Sequence, residues 1–235
     1  MKGLCVVDLL QILRLNKRGQ LKKDGNYQLG LFAAAIIDLI NLDRLTFKLR
    51  DEKDLCVRTI ENELTGFDLL DEIYLIIRDC PKEYTIAEWL NRFIDTYRVF
   101  ENNQFDSLIR REILIEEPKR FQIARYLICF SILLVLPMFI LAIVYYANII
   151  VPKHYRLKNP LLQNQLLNDL YENLKSIDLP ESAMAGLIII LKTLGLNNVL
   201  IKEEYRDYVT KKYYQLQDHD FTNPNIKLLV NYLIS

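Results

Sequence analysis

From Tyr126 to Val151 the chain runs for 26 residues without a charged side chain, and only Ser131 and Asn148 are strongly polar. A helix needs ~20 predominantly apolar residues to cross the hydrocarbon core of a bilayer, so this stretch is long enough to enter one. Sixteen of its residues are Leu, Ile, Phe or Val. At ~0.3–0.6 kcal/mol each they favour lipid by roughly 5–10 kcal/mol, an upper value because every position is counted as central. The alternative is a core helix. A helix of ~39 Å that is apolar on every face would then have to be wrapped completely by the rest of the chain. The segment is therefore read as membrane-inserting over residues 121–151. Leu127, Phe130, Leu133, Leu134, Leu136, Pro137, Phe139, Ile140, Ile143 and Tyr145 are its lipid-contacting side chains. Tyr145 and Tyr146 read as interface anchors.

The flanks agree with this reading. Residues 118–168 hold Lys119, Arg120, Arg125, Lys153, Arg156 and Lys158, with His154, and no Asp or Glu. Cations at both ends suit a segment whose ends face one anionic leaflet, at ~1 kcal/mol per charge. Pro137 lies midway, where it removes a backbone donor and clashes with the preceding turn. Two arms of about fourteen residues, each ~20 Å long, would follow from a bend there. From these residues alone, a returning hairpin and a kinked helix that passes straight through stand as equal alternatives.

Outside the segment, the spacing predicts a mainly α, single globular helical domain with small β-hairpins, spanning residues 1–235 and interrupted by 121–151. Helices are expected at 4–13, 27–42, 69–77, 85–111, 160–174, 181–194, 203–216 and 225–233. Gly30 and Ala33 to Ala35 are expected to let a neighbour approach the second of these. Thr85 and Glu88 form a capping box, and Gly195 closes the sixth helix. A hairpin is expected over 44–49 and 55–58, and a strand at 113–115. Tyr213 and Tyr214 are read as core.

Composition and motifs bound the function. Thirty basic and thirty acidic residues cancel, so no net field draws nucleic acid. Cys5, Cys56, Cys80 and Cys129 form no CxxC pair, and a reducing compartment is expected. The start, Met1-Lys2-Gly3-Leu4, lacks the pattern of a secretory signal. His154 and His219 are too far apart in sequence to suggest a metal site, and no P-loop, GxGxxG, HExxH or GxSxG motif occurs. Asp218-His219-Asp220 lacks a companion nucleophile motif and reads as a surface turn. Asp71 and Glu72 are adjacent, hence on different helical faces, and are expected to make structural or helix–helix contacts. Neither a catalytic centre nor a cofactor is expected.

Several stretches, in order, carry a resemblance. They are Leu31-Phe32-Ala33-Ala34-Ala35-Ile36-Ile37-Asp38-Leu39-Ile40, Thr65-Gly66-Phe67-Asp68-Leu69-Leu70-Asp71-Glu72, Ile86-Ala87-Glu88-Trp89-Leu90, Leu108-Ile109-Arg110-Arg111-Glu112-Ile113-Leu114 and His154-Tyr155-Arg156-Leu157-Lys158-Asn159-Pro160. Together they resemble the Golgi phosphoprotein 3 family. The resemblance implies a helical, non-catalytic adaptor that binds phosphatidylinositol 4-phosphate on a basic face and dips an apolar hairpin into the membrane. It also implies that the protein recognises short cytoplasmic tails of membrane enzymes. The cytoplasmic face of a membrane follows, Golgi in a eukaryote or inner membrane in a bacterium. The family hairpin falls where this chain has its apolar segment, which favours entry and return over a single span. The other function kept open is a single-span structural or assembly subunit.

The family headgroup residues match this chain in part. Lys23 stands where the family has a tryptophan and Phe32 where it has an arginine; of a later arginine pair, Arg98 matches and Glu101 does not. The candidate headgroup residues are Arg98, Lys23, Arg18, Lys119, Arg120, Arg125, Lys153, Arg156 and Lys158. The basic loop cluster Arg14, Lys17, Arg18, Lys22 and Lys23 is expected to attract anionic lipid less selectively.

Overall fold

A Pro-free run with three consecutive alanines gives α2 (Tyr27–Asn41), the helix around which much of the chain gathers. In this computed structural model the described residues are 4–16, 21–22, 26–50, 54–60, 63–116, 155–176, 178–180, 182–218, 224–226 and 228–229. No residue of α2 is exposed, and Ile36, Ile37, Leu39 and Ile40 are almost fully buried. Each such side chain contributes about 1.5–3 kcal/mol relative to exposure. As expected, Gly30 admits a close neighbour: a Cβ there would lie 3.1 Å from Leu196 Cδ1 and 3.3 Å from Leu10 Cδ2.

Helix α1 (Val6–Arg14) packs on α2 and is buried along its whole length. A short helix submerged this way needs internal partners for its free amides. Asp38 of α2 provides them, accepting from Val6 N at 2.8 Å and Val7 N at 3.0 Å. Its carboxylate thus sits at the positive end of the α1 dipole. Burial nevertheless pushes the Asp38 pKa up to about 7, against the two amide bonds that lower it. In the unfolded chain the group titrates near 3.8. Its contribution to stability is therefore complete at low pH, is lost as pH rises from there to about 7, and is flat above. At ~1.4 kcal/mol per unit the loss is on the order of 4 kcal/mol. The stability difference between the wild type and Asp38→Asn should shrink by that order between pH 4 and 7. Urea denaturation across this range checks it, and a pH-independent difference would exclude it.

Strands β1 (Leu45–Arg50) and β2 (Asp54–Thr59) form the expected hairpin, in register from Leu45 opposite Thr59 to Arg50 opposite Asp54. Next come α3 (Asp68–Arg78) and the 25-residue α4 (Ile86–Arg110). The predicted capping box opens α4: Glu88 N donates to Thr85 Oγ1 at 3.2 Å and Thr85 N to Glu88 Oε2 at 2.8 Å. Ile86, Trp89, Phe93, Tyr97, Phe100 and Leu108 recur at helical spacing and are buried.

Strand β3 (Leu114–Glu116) leads out of α4. It pairs antiparallel with β4 (Tyr155–Leu157), a strand not predicted from sequence, with Leu114 opposite Leu157, Ile115 opposite Arg156 and Glu116 opposite Tyr155. Residues 117–154 therefore connect two paired strands. They include all of the expected membrane segment and lie outside the described residues. Among the described residues, no helix is long and apolar enough to cross a membrane.

The C-terminal part adds α5 (Leu162–Lys175), α6 (Ser182–Thr193), α7 (Asn197–Leu200) and α8 (Glu203–Asp218). Residues 224–226 and 228–229 are also helical. Gly195 ends the turn after α6 with φ +68°, a left-handed conformation that glycine adopts without penalty. Helix α6 packs against α1, α2 and α8, closing the core. The short α7 was not predicted; four residues carry too little periodicity to show. The reading of Tyr213 and Tyr214 as core is corrected in part. Tyr213 is buried but Tyr214 is 56% exposed, because neighbours on a helix point about 100° apart.

Candidate functional site

Phe32 and Glu101, two of the positions that the resemblance assigns to a headgroup site, lie on α2 and α4, and the chemistry at each differs from a basic phosphate site. Phe32 is buried, its ring 4.9 Å from Phe93, which stacks on Phe100 at 4.5 Å. Phe32 thus forms part of an aromatic column. Glu101 faces inward and pairs with Arg14, while Tyr97 Oη donates to Glu101 Oε1 at 2.5 Å. Arg14 is also held by Lys22 O at 3.1 Å, by Tyr97 Oη at 3.0 Å, and by the Tyr27 ring, 4.2 Å away. Burial is the main cause that pushes the Tyr97 phenol upward, so it remains a donor at neutral pH.

This arrangement corrects the basic-cluster reading for Arg14. Its side chain is 9% exposed and ion-paired, so it serves the interior and does not offer a free charge to lipid. Lys22 is half-buried, with Nζ 3.5 Å from Val199 O, and burial lowers its pKa. Lys17, Arg18 and Lys23 lie outside the described residues.

Arg98 is exposed on α4 and makes no ion pair among the described residues. It is separated in chemistry from Glu101, whose charge is neutralised by Arg14. On the β3–β4 ladder, Arg156 is exposed, while Lys158 pairs with Glu112. Lys119, Arg120, Arg125 and Lys153 lie outside the described residues, as do Leu127, Phe130, Leu133, Leu134, Leu136, Pro137, Phe139, Ile140, Ile143 and Tyr145. The structure therefore pairs Glu101 with Arg14, sets Phe32 against Phe93, and leaves Arg98 and Arg156 as exposed cations on separate elements.

The other polar candidates have structural partners. Asp71 accepts from Thr65 N at 2.6 Å, Thr65 Oγ1 at 2.7 Å and Gly66 N at 3.1 Å, fixing the loop before α3. Glu72 accepts from Asn103 Nδ2 at 2.7 Å, joining α3 to α4. Both were expected to act in this way. His154 and His219 lie outside the described residues. Sequence reasoning missed the buried set around Asp8, which accepts from Gln104 Nε2 at 2.7 Å and Arg111 Nη1 at 2.8 Å. The signal was present: a lone acid within the apolar run of 4–13 must be either a surface group or a paired core group.

The Arg14–Glu101 pairing makes a sharp prediction. Glu101→Arg restores the family residue type but places a second cation against a buried guanidinium. It should cost ~3–5 kcal/mol, the usual penalty for leaving a buried charge uncompensated. Chemical denaturation checks the value, and a neutral effect would show that Arg14 can turn outward.

The described residues form a mainly helical body with two small antiparallel ladders, and its Arg14–Glu101 pair lies between α1 and α4. The chain belongs to the Golgi phosphoprotein 3 (GPP34) family, whose sequence model matches residues 8–127. That match runs from α1 through β3 and into the segment after it. No curated protein matches the chain.

Proposed function

We propose that the protein is a non-catalytic, membrane-associated adaptor that binds anionic lipid and a protein partner, held to the bilayer by residues 121–151. The observation that carries this reading is the β3–β4 ladder. Directly paired residues in an antiparallel ladder have Cα atoms about 4.5–5.5 Å apart. Glu116 and Tyr155 are such a pair, so both ends of the apolar excursion start from one point. An even number of crossings, or a dip into one leaflet, satisfies that geometry; a single span does not. The ladder thus favours the returning segment over the single-span structural subunit.

Family membership and the basic flanks support lipid contact through Lys119, Arg120, Arg125, Lys153, Arg156 and Lys158. The pairing of Arg14 with Glu101 argues against a phosphatidylinositol 4-phosphate site built on Arg14. Selectivity for lipid is accordingly set by net anionic charge more than by one phosphoinositide. The expected location is the cytoplasmic face of a Golgi membrane in a eukaryote, or of the inner membrane in a bacterium.

Cysteines introduced singly at positions 120 and 153 test the topology. Both should react with an impermeant thiol reagent from the same side of sealed vesicles. Reaction from opposite sides would sink the proposal.

A further inference from the structure

Between α3 and α4, and floored by Phe32 of α2, lies an open cavity of about 260 Å³. Its walls are aromatic and aliphatic, with Phe93, Phe100, Ile73, Ile76 and Ile77 among them, and Ile76 is left 46% exposed. Two polar groups in this apolar surround are unusual. Trp89 lines the cavity and is 4% exposed, yet its indole Nε1 is buried and has no hydrogen-bond partner. A donor left unpaired in the interior carries a desolvation penalty.

The second group is Arg92, exposed at the cavity wall. It donates to Tyr84 Oη at 2.5 Å and lies 4.0 Å over the Tyr84 ring, but pairs with no carboxylate among the described residues. Lys82 faces the same ring at 4.9 Å. Of the other exposed arginines, Arg58 is matched by Glu83 and Arg78 by Asp79, and Arg98, also unpaired among the described residues, does not line the cavity. An apolar cavity with an unmatched guanidinium at its wall is complementary to an apolar tail bearing an acidic head.

We propose that this groove binds a single-chain anionic amphiphile, such as a fatty acid, with its tail among Phe32, Phe93 and Phe100 and its acidic head at Arg92. The proposal rests on described residues of α2, α3 and α4 and not on how residues 121–151 meet the bilayer.

Trp89 is the single tryptophan of the chain, so its fluorescence reports on the groove alone. The full chain in phosphatidylcholine vesicles is titrated with dibromostearate, whose bromines quench indole on contact. A parallel arm uses vesicles containing dibrominated phosphatidylcholine and no fatty acid. Saturable quenching by dibromostearate, reversed by unlabelled stearate, is expected. Arg92→Gln should weaken it about tenfold through loss of a charge-assisted contact. Thr96→Phe, which fills the groove from α4, should abolish it. Quenching that does not saturate, or that is unchanged in Arg92→Gln, would overturn the proposal. So would quenching by the brominated bilayer lipid as strong as by the fatty acid, which would mean that the groove merely faces lipid. Absence of any quenching by dibromostearate would overturn it as well.

Discussion

Deleting residues 122–151 should move the protein from the membrane pellet to the supernatant after alkaline washing, with its helical circular dichroism retained. The size of the effect follows from the sequence. The deletion removes all of the 26-residue uncharged run, and with it roughly 5–10 kcal/mol of transfer free energy. No isolated basic residue left at the edges replaces an anchor of that size at ~1 kcal/mol each. Retention of the fold follows from the ladder. Glu116 and Tyr155 are already paired, so the shortened connection, residues 117–121 joined to 152–154, needs to close only a hairpin. Loop-closure entropy falls as the connection shortens, by about 0.6 kcal/mol for each halving. A deleted protein that stays with the membrane would place the anchor elsewhere. One that loses its helical signal would show that 122–151 belong to the core.

What could be read in the sequence follows the strength of local patterns. Helices α2, α3 and α4 came within one or two residues of expectation because apolar spacing, the Thr85 cap and the absence of proline all point the same way. The β1–β2 hairpin was legible for the same reason. Strand β4 was not, because three residues give no alternation to recognise, and its partner lies across the apolar segment. The basic loop cluster misled at Arg14, since a charge list does not show which cation turns inward to meet Glu101. The departures from the family headgroup set, by contrast, were visible residue by residue. What the structure adds is that two of them are coupled to neighbours: Phe32 extends the Phe93–Phe100 column, and Glu101 neutralises Arg14. The α3–α4 cavity was illegible in principle, because a cavity is a property of what side chains fail to fill.

The second large effect concerns the way α1 is tied to the end of α4. Asp8 is fully buried and accepts from Cys5 N at 3.1 Å, Gln104 Nε2 at 2.7 Å, and Arg111 Nη1 at 3.0 and 2.8 Å. Arg111 is the residue at which α4 ends and the chain turns toward β3, and it also lies 5.0 Å over the Phe67 ring. One charge pair therefore connects the N-terminal helix, the α3 entry loop and the approach to the ladder. Arg111→Leu leaves the Asp8 carboxylate buried without its cation and should cost ~3–5 kcal/mol. For a body of this size that corresponds to a fall in Tm of roughly 10 °C, at ~2–4 °C per kcal/mol. Asp8→Leu combined with Arg111→Leu replaces both charges by apolar groups and should recover much of the loss, because the pair's attraction mainly offsets its own desolvation. A thermodynamic cycle of the two single variants and the double variant measures the coupling. If Arg111→Leu alone costs under ~1 kcal/mol, Gln104 and the Cys5 amide suffice for Asp8, and α4 is not held to α1 by charge. If instead the double variant is as unstable as the single one, the guanidinium matters for its packing on Phe67 and not for its pairing.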